Sequence, residues 1–142
     1  MDNRAFVSQN PDMPTPNIDR LLDGTAAVVQ WFGRWPSFHD AEIVYLKLAR
    51  EGPSVLRVYP YFPEKPAAVD FFLEEVTDLE LADFSCQNVI FSLDVDIVVD
   101  QTKEKAVRLT LGPCYGLAGR IDARRVRVEI VPGKSSDKVS QW

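Results

Sequence analysis

Between residues 89 and 99 the chain shows its clearest alternation. Val89, Phe91, Leu93, Val95, Ile97 and Val99 fall on one side of an extended backbone, and Ser92, Asp94 and Asp96 fall on the other. A period of two sustained this long cannot lie along a helix, whose apolar stripe recurs every three to four residues, so the segment reads as a half-buried strand. A lone strand cannot bury its apolar face, so the rest of the chain must supply partners and a second layer.

It repeats the pattern. Val44, Leu46 and Leu48 share a face before the turn Glu51-Gly52-Pro53, and Leu56 and Val58 continue with Tyr59 and Tyr61 opposite, which predicts a hairpin. Pro60, Pro63 and Pro66 end it, because proline has no N–H to give a central ladder. Residues 69–76 and 79–84 read as two further strand pieces broken at Thr77-Asp78. After a polar turn over 101–105, Val107, Leu109 and Leu111 return with Arg108 and Thr110 outside; a loop holding Gly112, Pro113, Gly116 and Gly119 then leads to Ile121, Val126, Val128 and Ile130. Before the strands, Ile18, Leu21, Leu22, Val28, Val29 and Phe32 follow a helical period behind an N-cap at Asn17, interrupted at Asp23-Gly24 and closed by Gly33. The expected fold is α+β and mostly β: an antiparallel sheet, open or partly closed, of roughly six to eight strands, with one N-terminal helical element packed on it. Residues 1–16, with Pro11, Pro14 and Pro16, read as a flexible leader, 17–133 as a single domain and 134–142 as a polar tail.

With 142 residues, 46% of them hydrophobic, one core can form without a metal or disulfides. Cys86 and Cys114 lie far apart beside apolar positions and read as reduced thiols. Residues 1–17 lack the apolar stretch of a signal peptide and no apolar run is long enough to cross a bilayer, so the expectation is a cytoplasmic protein without a membrane partner. A net charge of −5 opposes nucleic-acid binding, which needs concentrated Lys and Arg. The cluster Arg120, Arg124, Arg125 and Arg127 alternates with apolar residues and reads as the wet face of a strand.

Candidate chemistry is sparse. His39 is the only histidine, so a Ser-His-Asp or Cys-His centre would have to use it, yet no serine sits in a Gly-x-Ser-x-Gly turn. In an extended segment Asp40 and Glu42 would face away from His39, which opposes a shared metal. Asp94 and Asp96, with Asp100 beyond them, form a carboxylate pair that reads foremost as a solvated outer face. Neither the glycines of 111–119 nor the tyrosines Tyr45, Tyr59, Tyr61 and Tyr115 make a phosphate loop or a base-stacking platform. No catalytic residue, metal or cofactor is therefore expected. The strongest partner-binding candidate is the acidic tract Asp70, Glu74, Glu75, Asp78, Glu80 and Asp83, with charge protection of an edge strand as an equal reading.

Several stretches carry a resemblance together: Trp31-Phe32-Gly33-Arg34-Trp35-Pro36-Ser37-Phe38-His39-Asp40-Ala41-Glu42, then Val76-Thr77-Asp78-Leu79-Glu80-Leu81, Gln87-Asn88-Val89-Ile90-Phe91, Tyr115-Gly116-Leu117-Ala118-Gly119 and Val126-Arg127-Val128-Glu129. In order and spacing they resemble the bacterial Immunity protein 50 family over about residues 21–131, with the Trp-Pro-Ser-Phe-His-Asp piece the most specific. The resemblance implies a small cytoplasmic protein that binds and blocks a cognate toxin of a polymorphic toxin system by occlusion. It carries over no catalytic residue; Trp35, Pro36, Phe38, His39 and Asp40 come with it as motif members, read as structural. The competing readings are a homo-oligomeric β scaffold, such as a homodimer through tyrosines and an open sheet edge, and a small hydrolase or metal-binding enzyme centred on His39 with Asp94 or Asp96.

Overall fold

The computed structural model describes residues 18–134; the expected leader, the expected cap at Asn17 and the expected tail beyond Lys134 lie outside them. Two short helices, α1 (Ile18–Leu21) and α2 (Thr25–Phe32), precede six strands: β1 (Ala41–Lys47), β2 (Ser54–Tyr59), β3 (Ala67–Ala82), β4 (Val89–Val99), β5 (Lys105–Tyr115) and β6 (Ala118–Pro132). All neighbours are antiparallel, and the order β1-β2-β3-β6-β5-β4 closes on itself as a barrel.

This corrects the expected α+β sheet with a helix packed on it. The helices hold four and eight residues, too little to form a covering layer. The second layer is instead the sheet itself, curled so that its inner faces meet. Length makes the curl feasible: β3, with 16 residues, pairs with β2 over 69–73 and with β6 over its whole length, while β6 takes up β5 only over 119–123. Each long strand thus passes from one neighbour to another as it bends. A bulge between Val76 and Asp78 adds local twist at that passage.

Leu56, Val58, Val69, Phe71, Leu109 and Ile121 are wholly buried inside, each removing side-chain surface worth about 1.5–3 kcal/mol from water. Ile18, Leu22, Val28 and Phe32 join the same core. The helical stretch breaks at Asp23-Gly24, where the Asp23 N–H donates to the Val126 carbonyl and its own carbonyl accepts from the Val128 N–H, at 3.1 and 2.8 Å. Gly24 turns left-handed there, φ 88°, and a Cβ would lie 2.4 Å from the Val128 carbonyl oxygen.

Two strand expectations change in phase, and a third changes in extent. In β4 a register shift between Ile90 and Ser92 turns Ile90 inward and Phe91 outward, so the face that reads as uniformly buried is not: Phe91 is 57% exposed, Ile97 45% and Val99 64%. In β1 a shift between Ile43 and Tyr45 makes Ala41 and Ile43 the buried pair, and Leu48 lies exposed beyond the strand end. The two pieces expected over 69–84 are one strand whose bulge sits at the expected break. The expected glycine loop is also mostly strand: Gly112 and Pro113 belong to β5 and Gly119 to β6. A Cβ on Gly119 would fall 1.9 Å from the Glu80 carbonyl oxygen, so this glycine serves the close approach of β3 and β6 rather than a turn.

Candidate functional site

The Trp35–Asp40 motif forms the corner that feeds β1. Phe38 and Asp40 both have positive φ, 62° and 66°, so the chain turns left-handed on either side of His39. The turn is held by the Ala41 N–H donating to the Phe38 carbonyl (3.1 Å), the Asp40 N–H donating to the Ile90 carbonyl (3.0 Å) and the His39 N–H donating to Ser37 Oγ (3.2 Å). Pro36 presets the entry to it. Phe38 is driven into the core, its ring 5.6 Å from Trp35 and 5.8 Å from Phe71. His39 and Asp40 stay in solvent, against the expectation that extended backbone would separate them. The left-handed turn brings His39 Nδ1 within 3.3 Å of Asp40 Oδ2, and the imidazole stands edge-on to Phe91 at 4.8 Å. Glu42 lies in β1 opposite Tyr59 and Val89. No group of three or more His, Cys, Asp or Glu among the described residues is arranged to hold a metal ion.

The acidic tract does not lie on one free face. Asp70 is 4% exposed and accepts two hydrogen bonds from Arg57, at 2.7 and 2.9 Å. That bidentate bond and the Asp70 charge raise the Arg57 pKa above its ordinary value against the cost of burial. Arg57 also lies over the Tyr45 ring at 5.0 Å, so Tyr45, Arg57, Asp70 and Glu129 form a row across four strands. Glu74 pairs with Arg125 at 3.0 Å, and Asp78 and Glu80 with Arg120 at 3.1 and 3.6 Å. Glu75 and Asp83, both at positive φ, have no ion pair among the described residues.

Nothing in the sequence marks the hub of this network. Asp122 is 3% exposed and receives Arg108 at 2.8 and 3.0 Å and Arg120 at 3.1 Å, and its hydrogen bonds lift the Arg108 pKa. The arginine cluster that reads as a wet face thus supplies counterions to β3, to β6 itself and to the turn after β4.

The β4–β5 hairpin is arranged differently. Asp100 is separate from Asp94 and Asp96: its carboxylate accepts from the Thr102 hydroxyl (2.6 Å), the Thr102 N–H (2.8 Å) and the Glu104 N–H (3.1 Å), and meets Arg124 at 2.6 Å. The Thr102 hydroxyl foremost, with the backbone donors and Arg124, holds its pKa down to about 2 against the cost of burial. Asp94 and Asp96 have no ion pair among the described residues. The hairpin also carries Phe91, Ile97, Val99 and Tyr115, four of the eight large apolar side chains exposed among the described residues, with Phe91 and Tyr115 towards one end and Ile97 and Val99 towards the turn. Cys86 and Cys114 are free and exposed, and no described helix is long and apolar enough to cross a membrane.

No family model, curated protein or solved structure matches the chain. Function is therefore read from the residues and geometry above.

Proposed function

We propose that this chain is an immunity-type binding protein that neutralises a cognate toxin polypeptide by occlusion. The observation that carries the reading is the β4–β5 hairpin, where Phe91, Ile97, Val99 and Tyr115 lie exposed on the strands that carry Asp94 and Asp96; neither carboxylate makes a close ion pair among the described residues, and Arg108, which faces Asp96, is bonded to Asp122. Exposed apolar area of this kind is stabilised by a partner surface, and free carboxylates speed encounter with a basic one. The likeness of residues 31–42 to the immunity family names the kind of partner. The contact surface moves from the acidic tract to the hairpin, because carboxylates already bonded to Arg57, Arg120 and Arg125 have little left to offer a second cation.

The test is a capture of tagged protein from its native host at moderate salt, with mass spectrometry of what is retained. A toxin encoded beside this gene should be recovered, and its activity should fall as the protein is added. A Phe91→Ser/Ile97→Ser variant that folds normally should lose most of that inhibition, since a few buried apolar anchors carry most interface energy. Recovery of the chain alone, from cells expressing the neighbouring genes, would overturn the reading.

A further inference from the structure

β4 has a strand partner along its whole length on one side and over only two residues on the other, and α1 also packs against it. Ala41 and Glu42 of β1 pair with Ile90 and Val89, and there the seam stops. Residues 92–99 pair with β5 alone, so every second backbone N–H and C=O along them points away from β5 without a backbone partner among the described residues. A barrel ordinarily has no such edge, and natural edges are blunted by proline, bulges or inward-pointing charge. Residues 94–99 have none of these: the register shifts of β4 lie earlier, at Val89/Ile90 and Ile90/Ser92, and the row in phase with buried Leu93 is apolar, with Val95 half-buried and Ile97 and Val99 exposed towards the turn. The outer face carries Asp94 and Asp96. Across β5 they meet Thr110 and Arg108, and the Arg108 guanidinium is occupied by Asp122 through two hydrogen bonds.

We propose that this edge is a strand-addition site for an extended polypeptide segment in which apolar residues alternate with lysine or arginine. The proposal rests on the toxin-binding reading and names how the partner docks. The free backbone groups supply a ladder of hydrogen bonds; the apolar side chains extend the Val95–Ile97–Val99 row; the basic ones lie beside Asp94 and Asp96 as cross-strand charge pairs. The charges also choose against a second copy of the chain, because β4 paired antiparallel with its like would set these same carboxylates against each other on one face.

The experiment follows amide exchange by NMR in the full-length protein, with a synthetic acetylated peptide of alternating lysine and valine as probe. A glutamate-valine peptide and a lysine-valine peptide N-methylated at alternate backbone nitrogens serve as controls. The outward amides of residues 92–99 should exchange freely in the protein alone and slow by about tenfold or more with the lysine peptide only. An Asp94→Lys/Asp96→Lys variant, which breaks no close ion pair although it sets a lysine across from Arg108, should reverse the preference to the glutamate peptide. Equal protection by both charged peptides, or none by either, overturns the proposal. So does protection already present in the free protein: independent of concentration it means that the chain's own residues cover the edge, and rising with concentration it means that a second copy does. A toxin held as tightly by the Asp94→Lys/Asp96→Lys variant as by the parent overturns this inference alone. Absence of any toxin partner with the peptide result intact overturns the proposed function alone.

Discussion

The β3–β6 side of the barrel and the β1–β4 seam close the same sheet by opposite means. β3 and β6 run together from Ala67 opposite Pro132 to Ala82 opposite Ala118, and their outer face is laced by Glu74–Arg125 and Asp78–Arg120. Two buried carboxylates anchor its flanks, Asp70 on Arg57 towards β2 and Asp122 on Arg108 towards β5. At the seam two residue pairs suffice, backed by the Asp40 N–H to the Ile90 carbonyl at 3.0 Å, the Ile43 N–H to the Asn88 carbonyl at 2.8 Å and Phe38 packed beneath. Closure of a barrel therefore does not spread stability evenly around it. One side is held by length and charge, the other by a corner, and opening should begin where the ladder is shortest.

The contrast can be broken most severely at the corner. Phe38→Ala removes a buried ring between Trp35 and Phe71, and about 3–5 kcal/mol should be lost on urea unfolding, because little else holds β1 to β4. On the laced side, Arg57→Ala strands the buried Asp70 carboxylate and should cost about 3 kcal/mol, whereas Arg57→Leu/Asp70→Leu should recover much of the loss. A double variant as unstable as the single one would show that the pair matters through something other than charge desolvation.

A gentler test uses pH at the turn after β4. Since the Asp100 carboxyl is held down to about 2, its bonds to Thr102, Glu104 and Arg124 contribute fully above the ordinary carboxylate range and are lost as pH falls from about 4 towards 2. Amide shifts of Thr102 and Glu104 should move with a midpoint near 2; a midpoint near 4 would mean that the carboxylate is not held. The smallest effect belongs to the open edge: Asp94→Lys/Asp96→Lys should cost about 1 kcal/mol or less, most of it from a lysine set across the ladder from Arg108 in place of Asp96.

The sequence by itself determined which segments extend and some of the places where they stop, though not the continuity of β3 through Thr77-Asp78 or of β5 and β6 through Gly112 and Gly119. Period-two runs, prolines after Tyr59 and the polar turn at 101–105 are local properties, each decided by the backbone chemistry of a few adjacent residues. The break at Gly24 and the corner at Trp35–Asp40 are local in the same way, although the two left-handed residues that bring His39 and Asp40 together are not visible in residue types. Tertiary structure alone decided closure, phase and pairing. Alternation says that a residue shares a face with its second neighbour but not which strand lies alongside, and one bulge at Phe91 exchanges inside for outside. The ion pairs follow from register: Arg57 and Asp70 are 13 residues apart, Arg108 and Asp122 are 14, and Glu74 and Arg125 are 51, so an acidic tract and a basic cluster that read as separate surfaces cancel each other across adjacent strands. The unpaired edge of β4 has the same origin, because a strand acquires an edge only through the neighbour it lacks.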